Sequence, residues 1–177
     1  MTVEPLATGL EGSRALVTGG GTGIGRAIAL QLASCGAKVA VLGRHSETLE
    51  ATVDEIRRSD GEALWCVADI RDEDAVASAF EAIEEAWGGL DILVNNAGGQ
   101  FPKLAIDMSI SGWRSVVDLN LTGTFICSLA FARSAVAHDS GGTIINITTA
   151  AAVRPSRGLA HAVSARSGVI AMTKALA

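Results

Sequence analysis

The sequence predicts a doubly wound α/β fold around a parallel sheet. Short apolar runs alternate with longer segments of helical period, the pattern of successive βαβ units. A glycine-rich turn joins the first apolar run directly to the first helical segment, as in a nucleotide-binding crossover. With 177 residues, 49% of them hydrophobic, and a mean hydropathy of +0.36, the chain has ample material for one buried core.

Arg14 to Thr18 reads as the first strand, and the turn after it leads into a helix through about Ser34. Lys38 to Leu42 is the second strand. Ser46 stands where it can cap the next helix, whose Leu49, Val53 and Ile56 share one face before Gly61 ends it. Ala63 to Val67 fits a third strand. Asp72 opens a helix with Val76, Phe80, Ile83 and Trp87 on one stripe, stopped by Gly88 and Gly89; these aromatics read as core. Ile92 to Asn95 makes a fourth strand, Ser111 to about Ala137 a long helix, Thr143 to Ile147 a fifth strand, and the last segment, to Ala177, is helical. No repeat of solenoid period, low-complexity tract or interdomain linker interrupts this order, so a single domain is read over 1–177.

Fourteen basic and nineteen acidic residues give a formal charge of -5, and no long basic run tracks a phosphate backbone, which argues against nucleic acid as partner. Cys35, Cys66 and Cys127 are far apart and form no CxxC pair, so they read as reduced thiols, and no metal site is expected. His45 and His138 likewise sit in no metal-ligand pattern. Met1 to Leu10 lacks the basic and apolar regions of a signal peptide, and no later stretch holds the roughly 18 uninterrupted apolar residues of a membrane span. A cytoplasmic protein without membrane partners is expected.

Directly after the first strand comes Thr18-Gly19-Gly20-Gly21-Thr22-Gly23-Ile24-Gly25, and a helix begins at once. Glycines permit the tight turn and close backbone approach, and the helix N-terminus offers N–H groups and a positive dipole end to a pyrophosphate. Dinucleotide binding is therefore expected at Gly19, Gly21, Thr22, Gly23, Ile24 and Gly25. At the end of the second strand an NAD-selective site presents an acid to the ribose hydroxyls. Here Gly43 is followed by Arg44, whose guanidinium suits a 2′-phosphate. That favours NADP over NAD, the alternative being a solvated surface arginine.

The spacing of Gly19, Gly23 and Gly25, followed by Asn95-Asn96-Ala97-Gly98 after the fourth strand, resembles the short-chain dehydrogenase/reductase family, and the resemblance covers almost the whole chain. Asp69-Ile70 after the third strand, Asn120 in Leu119-Asn120-Leu121-Thr122-Gly123, and Asn146-Ile147-Thr148-Thr149 continue it. It implies a Rossmann-like fold, an NAD(P)-dependent oxidoreductase, an adenine contact at Asp69 and Ile70, and approach of Asn96, Ala97 and Gly98 to the cofactor. It also implies a catalytic part for Asn120 through a water relay. Both asparagines also admit a local role in turn and helix hydrogen bonding.

The family's usual proton donor is a tyrosine, with a lysine four residues later on the same helical face. This chain has no tyrosine at all. In the matching segment, Ala162-Val163-Ser164-Ala165-Arg166-Ser167-Gly168, Ala162 takes the tyrosine position and Arg166 the lysine position. Thr149, thirteen residues before Ala162, then stands where the substrate-binding hydroxyl belongs, with Thr148 as the adjacent alternative. Arg166 can hold the nicotinamide ribose and supply charge but stays protonated at neutral pH; otherwise it is a helix-surface arginine. His161 is the candidate substitute acid, although one helical step turns it about 100° from Ala162. Its competing readings are a capping or an exposed histidine.

Gly98-Gly99-Gln100-Phe101, Leu121-Thr122-Gly123-Thr124-Phe125 and Ala160-His161 followed by Ala165-Arg166-Ser167-Gly168-Val169 are similar to the trans-2-enoyl-CoA and 2,4-dienoyl-CoA reductase branch, whose members depart from the tyrosine-lysine helix. The resemblance implies reduction of an unsaturated acyl-CoA, with Thr149 and Gln100 orienting the thioester, unless Gln100 only serves its loop. Ketone or 3-oxoacyl reduction with a non-tyrosine acid, and an inactive nucleotide-binding remnant or interaction protein, are the competing readings. The family also suggests a homo-oligomer built partly on the last two long helices. It implies two further strands and a substrate-covering segment beyond Ala177, so the domain is read as incomplete at its C-terminal end, with an unprotected edge on the fifth strand.

Overall fold

The computed structural model describes residues 9–177; except for Gly9 and Leu10, the segment read as leaderless lies outside the described residues. Five strands, β1 (Arg14–Thr18), β2 (Lys38–Gly43), β3 (Ala63–Val67), β4 (Ile92–Asn95) and β5 (Thr143–Asn146), form one sheet in the order β3-β2-β1-β4-β5. Every pairing is parallel. The helices between them are α1 (Gly23–Ser34), α2 (Ser46–Arg58), α3 (Glu73–Trp87), α4 (Ile110–Val117), α5 (Gly123–Ala137) and α6 (Ala160–Leu176). The chain winds outward from β1 to β3 and then returns to lay β4 on the other side of β1. The direction of winding reverses between β1 and β4, so a crevice opens there beyond the carboxyl ends of the strands.

Continuous apolar strands are explained by burial on both faces. From β1 and β2, Val17, Val39 and Val41 pack on one face with Ala29, Leu49, Val53 and Ile56 of α1 and α2. Leu16, Ala40 and Leu42 pack on the other with Val76, Phe80 and Ile83 of α3 and Cys127 and Phe131 of α5. Period-two strands and period-3.6 helices thus supply the two sides of each layer. Removing one fully buried leucine, such as Leu16, from packing of this kind costs on the order of 2–5 kcal/mol.

Most element boundaries match the sequence pattern, and the departures have physical causes. Asp72 caps α3 by accepting the Asp74 and Ala75 N–H groups. Ser46, by contrast, is not the cap of α2 but its first residue; His45 holds the cap position, and its side chain makes no capping bond. Strand β2 runs one residue further, to Gly43, and β5 ends at Asn146, with the Ile147 N–H still donating to Asn95. The long helix begins at Ile110 rather than Ser111, and its middle, Asp118–Thr122, is a π-helical stretch.

By length and composition Ile110–Ala137 could cross a membrane, but a core helix explains the same composition. Thr124, Cys127, Ser128 and Phe131 are buried where α5 lies against β4 and α3. Burial pushes the Cys127 thiol up to about 12, and it raises Cys66 as well. Strand β5 is the sheet edge among the described residues, with Ile145 45% exposed.

Candidate functional site

The crevice between β1 and β4 is a cleft of about 540 Å³. One end of it is made of backbone. Gly19 and Gly23 have φ of 66° and 53°, a left-handed conformation that glycine adopts without steric cost. A Cβ on Gly25 would lie 2.2 Å from the Gly19 carbonyl oxygen and 2.4 Å from Asn96 Nδ2, so only glycine lets α1 start this close to the strand. Thr22 precedes α1 without a side-chain cap, and no acid occupies the first turn. The leading N–H groups are left to an anionic ligand. Gly19, Gly21, Thr22, Gly23 and Ile24 all line the cleft.

At the ends of β2 and β3, Gly43, Arg44, Asp69 and Ile70 form the adjoining wall. Ile70 is buried and Arg44 exposed. Arg71 donates Nε–H and backbone N–H to Asp69. This hydrogen bonding, with a weaker field from Arg44, lowers the Asp69 carboxyl to about 2. Arg44 makes no ion pair among the described residues, and its guanidinium remains available at the rim.

The end of β4 is stitched to the end of β1. The Thr18 hydroxyl oxygen accepts the Asn96 and Ala97 N–H groups at 3.0 Å each, and Asn96 Nδ2 donates back to the Thr18 carbonyl at 3.0 Å. Asn96 therefore holds the strand ends together, and it lines the cleft with Ala97 and Gly98. Thr18 is the residue that sequence reasoning missed; only its place at a strand end beside glycines could have flagged it.

Asn120 lies in the π-helical stretch, 3% exposed. Widening the helix there frees backbone groups that a side chain must satisfy. Asn120 Nδ2 donates to Val116 at 2.8 Å and to Gly99 at 2.7 Å, and its Oδ1 accepts the Gly99 N–H at 3.2 Å. The local hydrogen-bonding role and the approach to the cleft, which Asn120 also lines, are thus both present.

Arg166 is no surface arginine. It is only 8% exposed and donates from Nη1 to the Ile147 carbonyl at 2.9 Å and from Nη2 to Ala97 at 3.1 Å. It bridges the ends of β4 and β5 and faces the cleft. Burial lowers its pKa, yet a guanidinium starts so high that it keeps its charge. A Cβ on Gly98 would lie 1.9 Å from Arg166 Nη2 and 2.6 Å from Asn120 Oδ1. Gly98, Asn120 and Arg166 therefore form one interlocked unit.

Thr149, Thr148 and Gln100 line the same end. Thr149 Oγ1 accepts the Ala151 N–H at 3.3 Å and so caps the 3-10 turn Ala150–Ala152, which leaves its hydroxyl proton available. Ala162 is buried. His161 does not line the cleft: it is fully buried, and its ring meets Phe101 edgewise at 4.7 Å. Its Nδ1 accepts the Ala162 N–H at 2.8 Å inside the first turn of α6, whose cap position is Leu159, so the exposed alternative is not the one realised. Its Nε2 has no hydrogen-bond partner among the described residues.

A model of the short chain dehydrogenase family matches residues 13–177. A protein of Bacillus subtilis named as a probable 2,4-dienoyl-CoA reductase is 35% identical over 95% of this chain and 66% of its own length. A 3-oxoacyl-[acyl-carrier-protein] reductase of Synechocystis is 40% identical over 96% of this chain and 69% of its own. A short chain dehydrogenase structure from Bacillus anthracis superposes with a TM-score of 0.90 at 38% identity, over 94% of this chain and 69% of the other. The chain thus spans about two thirds of the length of these relatives. A parallel sheet that reverses at β1 and β4, a glycine turn opening α1 and these matches agree: the chain belongs to the short chain dehydrogenase family of NAD(P)-dependent oxidoreductases.

Proposed function

We propose that the protein uses NADPH to reduce the carbon–carbon double bond of an unsaturated acyl-CoA thioester. One observation carries this reading: the helix position that would present a tyrosine phenol holds the buried methyl of Ala162, while hydrogen-bond donors and a permanent cation remain at the same end of the cleft. Thr149, Gln100 and Arg166 can stabilise an oxyanion, but none of them is a good acid at neutral pH. Reduction of a ketone produces an alkoxide, which demands a proton on oxygen. Reduction of an enoyl thioester produces an enolate, which is stable enough to be held by donors and can take its proton on carbon from water.

The glycine turn and the uncapped start of α1 fit the pyrophosphate, Asp69 and Ile70 the adenine, and Arg44 beside Gly43 the 2′-phosphate that marks NADP. NADPH, held by the glycine turn and Arg44, would supply the hydride that reaches the thioester β-carbon. The double-bond electrons then move onto the carbonyl oxygen, where the Thr149 hydroxyl, the Gln100 amide and the Arg166 guanidinium offer hydrogen bonds. The α-carbon takes a proton from water, leaving the saturated thioester or, from a diene, a monoene. Asn120 and Gly98 act by fixing Arg166 and the loop that bears Gln100. His161, buried outside the cleft against Phe101, has a packing role. In this reading the enzyme works in the cytoplasm as a homo-oligomer, which exposed Phe125, Val136 and Leu176 on α5 and α6 would help to join.

NADPH oxidation measured with a trans-2-enoyl-CoA, a 2,4-dienoyl-CoA and a 3-oxoacyl-CoA tests the proposal on the full-length protein. Turnover of the first or second and not the third is expected. Turnover of the ketone alone, the chemistry in the name of the Synechocystis relative, overturns it.

A further inference from the structure

A second depression, of about 430 Å³, is formed by continuations of the two loops that wall the cleft. Gly98 to Gln100 of the β4–α4 loop face the cleft, and Leu104 to Ile106 of the same loop face this groove. Ile147 to Thr149 of the β5–α6 loop face the cleft, and Pro155 to Gly158 face the groove. The Lys103 N–H donates to the Gly158 carbonyl at 2.8 Å, which ties the two loops together between the depressions.

The groove combines two features that rarely coincide on a free surface. Its apolar side chains are open to solvent, Ile106 being 92% exposed and Leu104 48%; neighbouring exposed apolar groups of this size mark a binding surface. Its border is cationic: Arg157 lines it, and exposed Lys103 and Arg154 stand on the same two loops. Within 99–109 and 147–159 these three cations face a single acid, Asp107, although the whole chain has 19 acids to 14 bases. None of the three is in an ion pair among the described residues. A local cation surplus in an acidic chain attracts an anion and repels cationic partners.

We propose that this groove is the carrier site for coenzyme A: the pantetheine arm lies along Leu104, Ile106 and Val163, and the phosphates meet Lys103, Arg154 and Arg157. The proposal rests on the thioester reduction inferred above and explains how the chain selects a carrier rather than only an acyl group. The cleft and the groove share their two loops, so a thioester held at Thr149 can extend its carrier along those loops toward the cations. An apolar channel with a cationic border complements an amphipathic arm that ends in phosphates.

Calorimetric titration of coenzyme A into protein saturated with NADPH isolates this site, because the Arg44 end is then filled. Binding that weakens with added salt is expected. The triple variant Lys103→Gln, Arg154→Gln, Arg157→Gln should lose on the order of tenfold to a hundredfold in that affinity, while pantetheine, which lacks the nucleotide phosphates, binds both proteins alike. In turnover, the variant should show a raised KM for crotonyl-CoA, with kcat and the KM for the N-acetylcysteamine thioester unchanged. Coenzyme A affinity that is indifferent to the three substitutions overturns the proposal. So does dissociation of the oligomer by the same three substitutions in sedimentation, which would make the groove an interface between copies, or a dependence on the same cations for acyl carrier protein and not for coenzyme A. If no thioester is reduced but coenzyme A binding still falls in the variant, the carrier site stands and the reductase reading fails.

Discussion

At the end of the cleft proposed for the nucleotide the lining is backbone: Gly19, Gly23 and the uncapped start of α1 present N–H groups and empty space. At the reaction end, side chains from remote segments converge, with Arg166 crossing to Ala97 and Ile147 and Asn120 clasping Gly99. The first arrangement depends on what a few adjacent residues lack, the second on what distant residues bring. Damage should therefore stay local at the nucleotide end and spread at the reaction end.

Gly98→Ala tests that difference most severely. The new methyl would collide with Arg166 Nη2 and Asn120 Oδ1, at 1.9 and 2.6 Å, and the guanidinium must leave its two carbonyls. Overpacking of this kind costs about 1–3 kcal/mol, and loss of turnover by a hundredfold or more is expected alongside. Gly23→Ala has nothing within 4 Å of the added carbon, so its cost is the strain of a positive φ, about 1 kcal/mol. Urea unfolding of both variants, with Arg166→Ala added to each, separates the cases. Arg166→Ala should restore part of the stability lost in Gly98→Ala and none of that lost in Gly23→Ala. Equal behaviour of the two backgrounds would break the comparison.

Thr149→Val comes next. It removes the hydroxyl but keeps the shape, and loss of one oxyanion donor lowers rate on the order of a hundredfold. The fall should appear in kcat for the enoyl thioester, with NADPH affinity unchanged in a fluorescence titration. A fall in cofactor affinity of the same size would mean that the two ends are not separable.

How much of each end was legible follows from the same contrast. Strand ends, the glycine turn and Arg44 are contiguous or set by strand length, so period and spacing located them. Gly98 could be named from its motif, but not its reason, which is a guanidinium 68 residues later in the chain. For Arg166 a surface position stayed open as the lesser alternative, because burial on α6 depends on how α6 packs against α4 and β5. The π-helical stretch around Asn120 leaves no mark on hydrophobic period. His161 shows the limit most clearly: adjacency to Ala162 suggested an acid, whereas its Nδ1 is engaged by the first turn of α6.

Arg44→Asp probes the nucleotide end with a smaller effect. Replacing a cation by an anion beside a 2′-phosphate should weaken NADPH roughly tenfold to a hundredfold, and leave NADH unchanged or slightly tighter. Equal losses in the two titrations would reduce Arg44 to a surface residue.

The smallest effect lies in acid. Asp69 is held at about 2 against an ordinary 3.8, chiefly by hydrogen bonds from Arg71 and in small part by the charge of Arg44. Because folding lowers this pKa, the unfolded chain binds the extra proton first as pH falls. The stabilisation from ionised Asp69 is therefore complete above about pH 4 and is lost between there and about pH 2. The stability difference between the wild type and Asp69→Asn should be flat above that window and shrink through it. In the Arg44→Asp background the Asp69 carboxyl, followed by NMR titration, should move up toward its ordinary value by a fraction of the full displacement, since Arg71 remains in place. A carboxyl that does not move would show that Arg44 and Asp69 are electrostatically independent, and the wall they form at the adenine end would then owe its charge to Arg71 alone.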